Sequence, residues 1–142
     1  MIQQTLIIDD DKLSIYLTKT ILERTTDCKH FESANSCDEA INYIKYCIEK
    51  NENSLPDLIL LDLDMPSGNG WVLVDFLKEI KSKIKKEINI FMLSSTFDKG
   101  NIIKSRNCDV ISDFISKPLI REDVEFIKEA IEKKKIGEVY YK

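Results

Sequence analysis

The stretch "PDLILLDLDMPSGNGW", residues 56–71, decides how the whole chain is read. Its run Leu58-Ile59-Leu60-Leu61 is continuously apolar, the pattern of a short strand covered on both faces, as central strands of parallel sheets are. The run ends at the carboxylate of Asp62, with Asp64, Pro66, Gly68 and Gly70 close behind. A strand covered on both faces tolerates a charge only at its end, and in open α/β sheets ligands bind beyond the carboxyl ends of the strands. A lone Asp in that place would more simply cap a turn. The meaning of Asp62 therefore depends on what the other strand ends carry.

Working outward, five strand-then-helix units emerge. Upstream, "TLIID" (5–9) reads as a first strand. Leu13, Leu17 and Ile21, four apart, mark the apolar face of a helix over about 12–25. "CKHFES" (28–33) is a second, less apolar strand. Ser36 with Glu39 forms a capping-box signature for a helix whose face carries Ala40, Ile41, Ile44 and Ile48. "NENSLP" (51–56) is a polar loop into the third strand, 57–62.

Downstream, Gly68 and Gly70 end the loop, and a helix over about 71–81 turns Val74 or Leu73, with Leu77 and Ile80, toward the core. "INIFML" (88–93) is a fourth strand, and a weaker helix near 98–107 holds Ile102 and Ile103. "ISDFIS" (111–116) is the fifth strand, and 120–135 the last helix, with Val124, Ile127 and Ile131 at helical spacing. Strands alternating with helices imply a parallel sheet whose right-handed crossovers put helices on both faces. The fold class is α/β, a doubly wound five-stranded parallel sheet with five helices; spacing alone leaves the strand order open.

Bulk properties narrow the function. The 142 residues, 43% hydrophobic and 32% charged, suit one globular domain. A net charge of -4 and the absence of a basic stripe argue against nucleic-acid binding. The lysine-rich run "KEIKSKIKKE" (78–87) alternates with apolar and acidic residues and reads as a solvated helix end and loop. No stretch reaches the ~20 apolar residues of a membrane span, and no signal peptide opens the chain. Cys28, Cys37, Cys47 and Cys108 lack metal or redox spacing and read as reduced, largely buried thiols of a cytoplasmic protein. The single histidine, His30, excludes a multi-histidine metal site.

In a doubly wound sheet the strand ends share one edge. Strand one brings Asp9 and Asp10, with Asp11 either joining them or capping the helix. Strand three brings Asp62, strand four Ser94 and Ser95, and strand five Lys117 followed by Pro118. Carboxylates this close repel unless a cation neutralises them, and oxygen-only donors favour a hard ion, Mg²⁺ or Mn²⁺. A carboxylate beside such an ion, with a lysine and hydroxyls nearby, can attack a phosphoryl donor and form an acyl phosphate. No Gly-rich P-loop is present, so side chains and loop amides would hold the phosphate.

The combination "IIDDDK", "LLDLDMPSGNG", "FMLSS" and "DFISKPL" resembles the receiver domain of two-component response regulators over nearly the whole chain. The resemblance implies the flavodoxin-like strand order 2-1-3-4-5 and a cis Lys117-Pro118 bond. It implies Asp62 as phosphoacceptor, Asp10 as a direct Mg²⁺ ligand with Asp9 acting mainly through water, and the Asp64 carbonyl as a further ligand. Ser94 matches the switch hydroxyl, Phe114 the switch aromatic and Lys117 the family's lysine. Phe114 has no phenolic hydroxyl, so its ring would move without forming a new hydrogen bond. Asp64 and Thr96 fall where the family tunes dephosphorylation.

The implied unit is a receiver over 1–136 with a short tail, 137–142, and no output domain. It would catalyse only its own phosphorylation and slow dephosphorylation, as a monomer or weak homodimer. Its donor would be a histidine kinase or histidine phosphotransfer protein, and its signal would pass to a downstream protein target. Two other readings compete. "DLDMP" also fits the D-x-D pair of haloacid-dehalogenase-type phosphatases, although there the motif normally follows the first strand. A pseudo-receiver would bind partners without being phosphorylated, although none of the acidic, hydroxyl or lysine positions is degraded.

Overall fold

A computed structural model of the chain describes residues 2–66, 70–96 and 98–135. The expected loop residue Gly68 and the expected tail 137–142 lie outside the described residues. Five strands, β1 (Gln4–Ile8), β2 (His30–Ala34), β3 (Leu58–Asp62), β4 (Asn89–Ser94) and β5 (Ile111–Ser116), alternate with five helices. The helices are α1 (Lys12–Thr25), α2 (Cys37–Lys50), α3 (Trp71–Ile80), α4 (Lys99–Arg106) and α5 (Arg121–Lys135). All strand pairings are parallel, in the order β2-β1-β3-β4-β5. This is the flavodoxin-like order.

The apolar run in β3 now has its explanation. Every residue from Leu58 to Asp62 is buried, and successive side chains serve opposite layers. Ile59 and Leu61 pack with Ala40 and Ile44 of α2 and Leu73, Val74 and Leu77 of α3. Leu58 and Leu60 pack with Phe91, Leu22 of α1, and Val124, Ile127 and Ile131 of α5. A central strand sandwiched in this way has no polar face, so periodicity disappears from its sequence.

Helix ends follow local chemistry. Ser36 accepts from the Glu39 amide at 3.1 Å, as the capping-box spacing predicts. Asp11 takes the capping alternative and accepts from the Leu13 amide at 3.0 Å. Asp98 caps α4 by accepting from the Asn101 amide. The lysine-rich segment between α3 and β4 is a loop, and Glu52 receives the amides of Lys85 and Lys86 at 2.7 and 3.0 Å.

The face expected for α1 is corrected by the packing. Leu13 and Leu17 are 63% and 52% exposed, Ile21 is only half-buried, and the buried residues are Thr18 and Leu22. A period of four fits 13/17/21 and 14/18/22 equally well. Hydropathy favours the first set, whereas docking against α5 and β1 buries Thr18 and Leu22 of the second. Expected strand limits shift by one or two residues: β1 ends at Ile8, β2 begins at His30 and β4 includes Ser94. In α4, Ile102 is half-buried, Ile103 is 55% exposed and only Ser105 is buried.

Gly70 positions α3 close to the loop after β3. A Cβ on Gly70 would lie 2.8 Å from Leu63 Cδ2 and 3.3 Å from Leu61 Cδ2. Gly70→Ala is therefore expected to cost about 1 kcal/mol, limited because the nearer atom ends a flexible side chain. Urea unfolding measures this, and an unchanged midpoint would show that the approach is not tight.

Candidate phosphoacceptor site

The parallel register brings the chemistry to one edge. Asp9 follows the last residue of β1, Asp62 ends β3, Ser94 ends β4 and Lys117 follows the last residue of β5. Hydrogen bonds across the sheet top hold these ends together: Asp9 N donates to Ala34 O at 2.9 Å, Leu63 N to Leu93 O at 2.8 Å and Lys117 N to Ser94 O at 2.8 Å. The Lys117-Pro118 peptide is cis, as expected.

Asp9 and Asp62 are buried at the head of the sheet, and Asp10 beside them is exposed. Carboxylate oxygens of Asp9, Asp10 and Asp62 lie within 4.8 Å of one another. The Lys117 ammonium bridges the two buried acids, at 3.2 Å from Asp9 Oδ2 and 3.2 Å from Asp62 Oδ1. Backbone amides orient both: Asp11 N donates to Asp9 Oδ1 and Asp64 N to Asp62 Oδ1, each at 2.9 Å.

One lysine cannot satisfy two buried carboxylates equally. Burial pushes Asp62 up to about 6, with the charge of Asp9 adding to that rise against the Asp64 amide and Lys117. For Asp9 burial also works upward, but the Ser14 hydroxyl, the Asp11 amide and Lys117 outweigh it and hold the carboxyl below its usual range. Lys117 itself stays charged: burial opposes the ammonium, yet Asp62 and Asp9 together push its pKa up.

The donor set fits a divalent cation. Three carboxylates with only oxygen donors, two of them buried and sharing a single ammonium, form an under-neutralised pocket suited to a hard ion such as Mg²⁺. The Asp64 carboxylate is not part of that cluster. It accepts from Ser94 Oγ, Ser95 N and Ser95 Oγ, each at 2.7 Å. Burial raises the Asp64 pKa, but the Ser95 and Ser94 hydroxyls, the Ser95 amide and Lys117 prevail and lower it.

Phe114 is half-buried on β5 and packs against the core on the α2–α3 side of the sheet. His30 is exposed at the start of β2, at the edge opposite these strand ends. The four cysteines are all buried. One support of the site escapes the sequence, the Ser14 hydroxyl one turn into α1, which nothing in the local pattern marks. Ser95 was placed at its strand end by the sequence, but its double donation to Asp64 was not.

The response regulator receiver domain family matches residues 5–132. The chain belongs to that family. Receiver domains bind Mg²⁺ in an acidic pocket, take a phosphoryl group from histidine kinases and act on downstream targets. The D-x-D phosphatase alternative falls with this match. The receiver is similar to a two-component response regulator from Cytophaga hutchinsonii, with a TM-score of 0.84 and 28% identity over 93% of this chain and 98% of that one. It is also similar to a CheY-like receiver domain protein from Methanospirillum hungatei, with a TM-score of 0.73 and 27% identity over 96% of this chain and 100% of that one.

Among curated proteins, the protein-glutamate methylesterase/protein-glutamine glutaminase of Treponema denticola is 34% identical over 117 residues, 81% of the receiver. The receiver spans only 28% of that relative's length. Among the described residues no helix is long and apolar enough to cross a membrane.

Proposed function

We propose that this receiver is phosphorylated on Asp62 in a Mg²⁺-dependent phosphorelay and signals through a partner-binding surface. The observation that carries the reading is the buried Asp62 carboxylate at the end of β3, with the Lys117 ammonium at 3.2 Å and Asp9 and Asp10 beside it. Asp9, Asp10, Asp62 and the Asp64 carbonyl would hold Mg²⁺ (Mn²⁺ is the next candidate). The ion supplies charge neutralisation for an incoming phosphoryl group.

The chain's own residues do the rest. The Asp64 amide and Lys117 fix the orientation of the Asp62 carboxylate, which attacks phosphorus in line. As the new O–P bond forms, the P–N bond to the donor histidine breaks and its electron pair stays on the imidazole nitrogen. Lys117 and then Ser94 meet the charge on the equatorial oxygens. Ser94 moves toward the phosphoryl group, Phe114 follows into the space released, and the surface of α4, β5 and α5 changes its population of states.

The donor is a histidine kinase or histidine phosphotransfer protein. It would approach along the groove of about 150 Å³ lined by Leu13, Leu17, Pro118 and Leu119, which reaches Lys117. The exposure of Leu13 and Leu17 supports this assignment, since neither contributes to the core. The receiver would work in the cytoplasm on a downstream protein target.

Intact mass after incubation with acetyl phosphate and Mg²⁺ tests the reading. One phosphoryl adduct is expected, absent in Asp62→Asn and absent with EDTA. An unmodified wild type would instead make this a pseudo-receiver.

A further inference from the structure

We propose that Asp64 is a positioning residue that withholds the Ser94 hydroxyl from a phosphoryl group on Asp62, a role that rests on the phosphoacceptor reading of Asp62. Ser94 Oγ has one proton to give, and it donates that proton to Asp64 Oδ1 at 2.7 Å. Its acceptor side receives the Thr96 amide at 3.2 Å. Ser95 commits both of its donors, N and Oγ, to Asp64 Oδ2 at 2.7 Å each. Three donors, one from the last residue of β4 and two from the residue after it, thus end on one carboxylate, two residues beyond Asp62.

The consequence is a competition for one proton. Ser94 cannot donate to a phosphoryl oxygen while it donates to Asp64. Both acceptors are anionic, and hydrogen bonds to anionic oxygens are roughly twice as strong as neutral ones, so neither wins by a wide margin. Asp64 is exposed, so water replaces the departing hydroxyl at its carboxylate and the exchange is reversible. Asp64 thereby sets how much of the phosphoryl interaction is spent on freeing Ser94. The same contacts tie the β4–α4 connection to the loop after β3 as long as Asp62 is unmodified.

Two explanations predict different mutant patterns. If Asp64 acts only as a negative charge that repels the phosphoryl group, Asp64→Asn and Asp64→Ala must be equivalent, and Ser94 must be irrelevant to the gain. If it acts by holding Ser94, Asn keeps a weaker acceptor and gives an intermediate result, and the gain shrinks without the Ser94 hydroxyl. Truncating an exposed side chain leaves the core intact, and Asp64→Asn is a second, nearly isosteric variant.

The experiment is calorimetric titration of the full chain with beryllofluoride in the presence of Mg²⁺, for wild type, Asp64→Ala, Asp64→Asn and Ser94→Ala, and for Ser94→Ala combined with Asp64→Ala. Asp64→Ala is expected to bind about tenfold tighter than wild type, the scale of one charge-assisted hydrogen bond. Asp64→Asn should fall between, and in the Ser94→Ala background the gain should drop severalfold. Equal affinities for wild type and Asp64→Ala, weaker binding by Asp64→Ala, or a gain that persists in full without Ser94 would each overturn the role of Asp64 while leaving Asp62 as phosphoacceptor. A wild type that binds no beryllofluoride would overturn the phosphoacceptor reading and this role with it.

Discussion

Asp62→Asn is expected to be more stable than the wild type at about pH 7.5 in metal-free buffer, by on the order of 3 kcal/mol. The carboxyl of Asp62 rises from its usual 3.8 to about 6 in the folded protein, chiefly by burial. Because the folded state holds that proton more tightly than the unfolded chain, ionisation of Asp62 opposes folding. The opposition is absent below about pH 4, grows as the pH rises to about 6 and is complete above that. Replacing the acid with a neutral isostere removes it.

The advantage of the variant should therefore shrink toward zero as the pH falls to about 4. Asp9, whose pKa is lowered, has the opposite sign: its stabilisation is present above its unfolded pKa and is lost as the pH falls. Both proteins contain Asp9, but its charge contributes to the rise of Asp62, so the difference between their stability curves reports Asp62 together with that coupling. Urea titrations at several pH values with EDTA present measure it, and a variant no more stable at neutral pH would contradict the strain assigned to Asp62. Stability surrendered at a reactive group is a common accompaniment of function.

Lys117→Met should do the reverse and damage both folding and chemistry. Its ammonium lies 3.2 Å from each of two buried carboxylates, so its removal leaves Asp9 and Asp62 facing each other without a counter-charge. Breaking a buried charge pair at one partner costs about 3–5 kcal/mol, and the methionine stem recovers only the packing. The loss should be largest near neutral pH and smaller below about pH 6, where a protonated Asp62 no longer needs the lysine. Phosphorylation by acetyl phosphate should slow by about 100-fold or more, because a fixed charge aimed at the transferring group is lost. Denaturation at two pH values and a timed mass-spectrometric labelling course test both halves. Unchanged labelling would remove Lys117 from the chemistry.

Leu58 to Leu61 and Val124, Ile127 and Ile131 could be assigned to the core from sequence, because burial on this scale leaves no alternative residue types. The capping pair Ser36 and Glu39 was equally legible, since it involves only neighbouring atoms. The core face of α1 was not. Leu13 and Leu17 look like core residues, and only the positions of α5 and β1 turn Thr18 and Leu22 inward instead.

The same division holds at the candidate site. The residue types at four strand ends, Asp9 and Asp10, Asp62, Ser94 and Lys117, were determined by the sequence, because parallel connection carries every strand end to one edge. What the sequence does not contain is how those groups share charge and protons. The bridging of Asp9 and Asp62 by one ammonium, the opposite shifts of the two acids, and the commitment of Ser94 and Ser95 to Asp64 were decided by the tertiary structure. These depend on distances of about 3 Å between residues 30 to 108 positions apart, and electrostatic and hydrogen-bond energies at that range change with small displacements that no local pattern encodes.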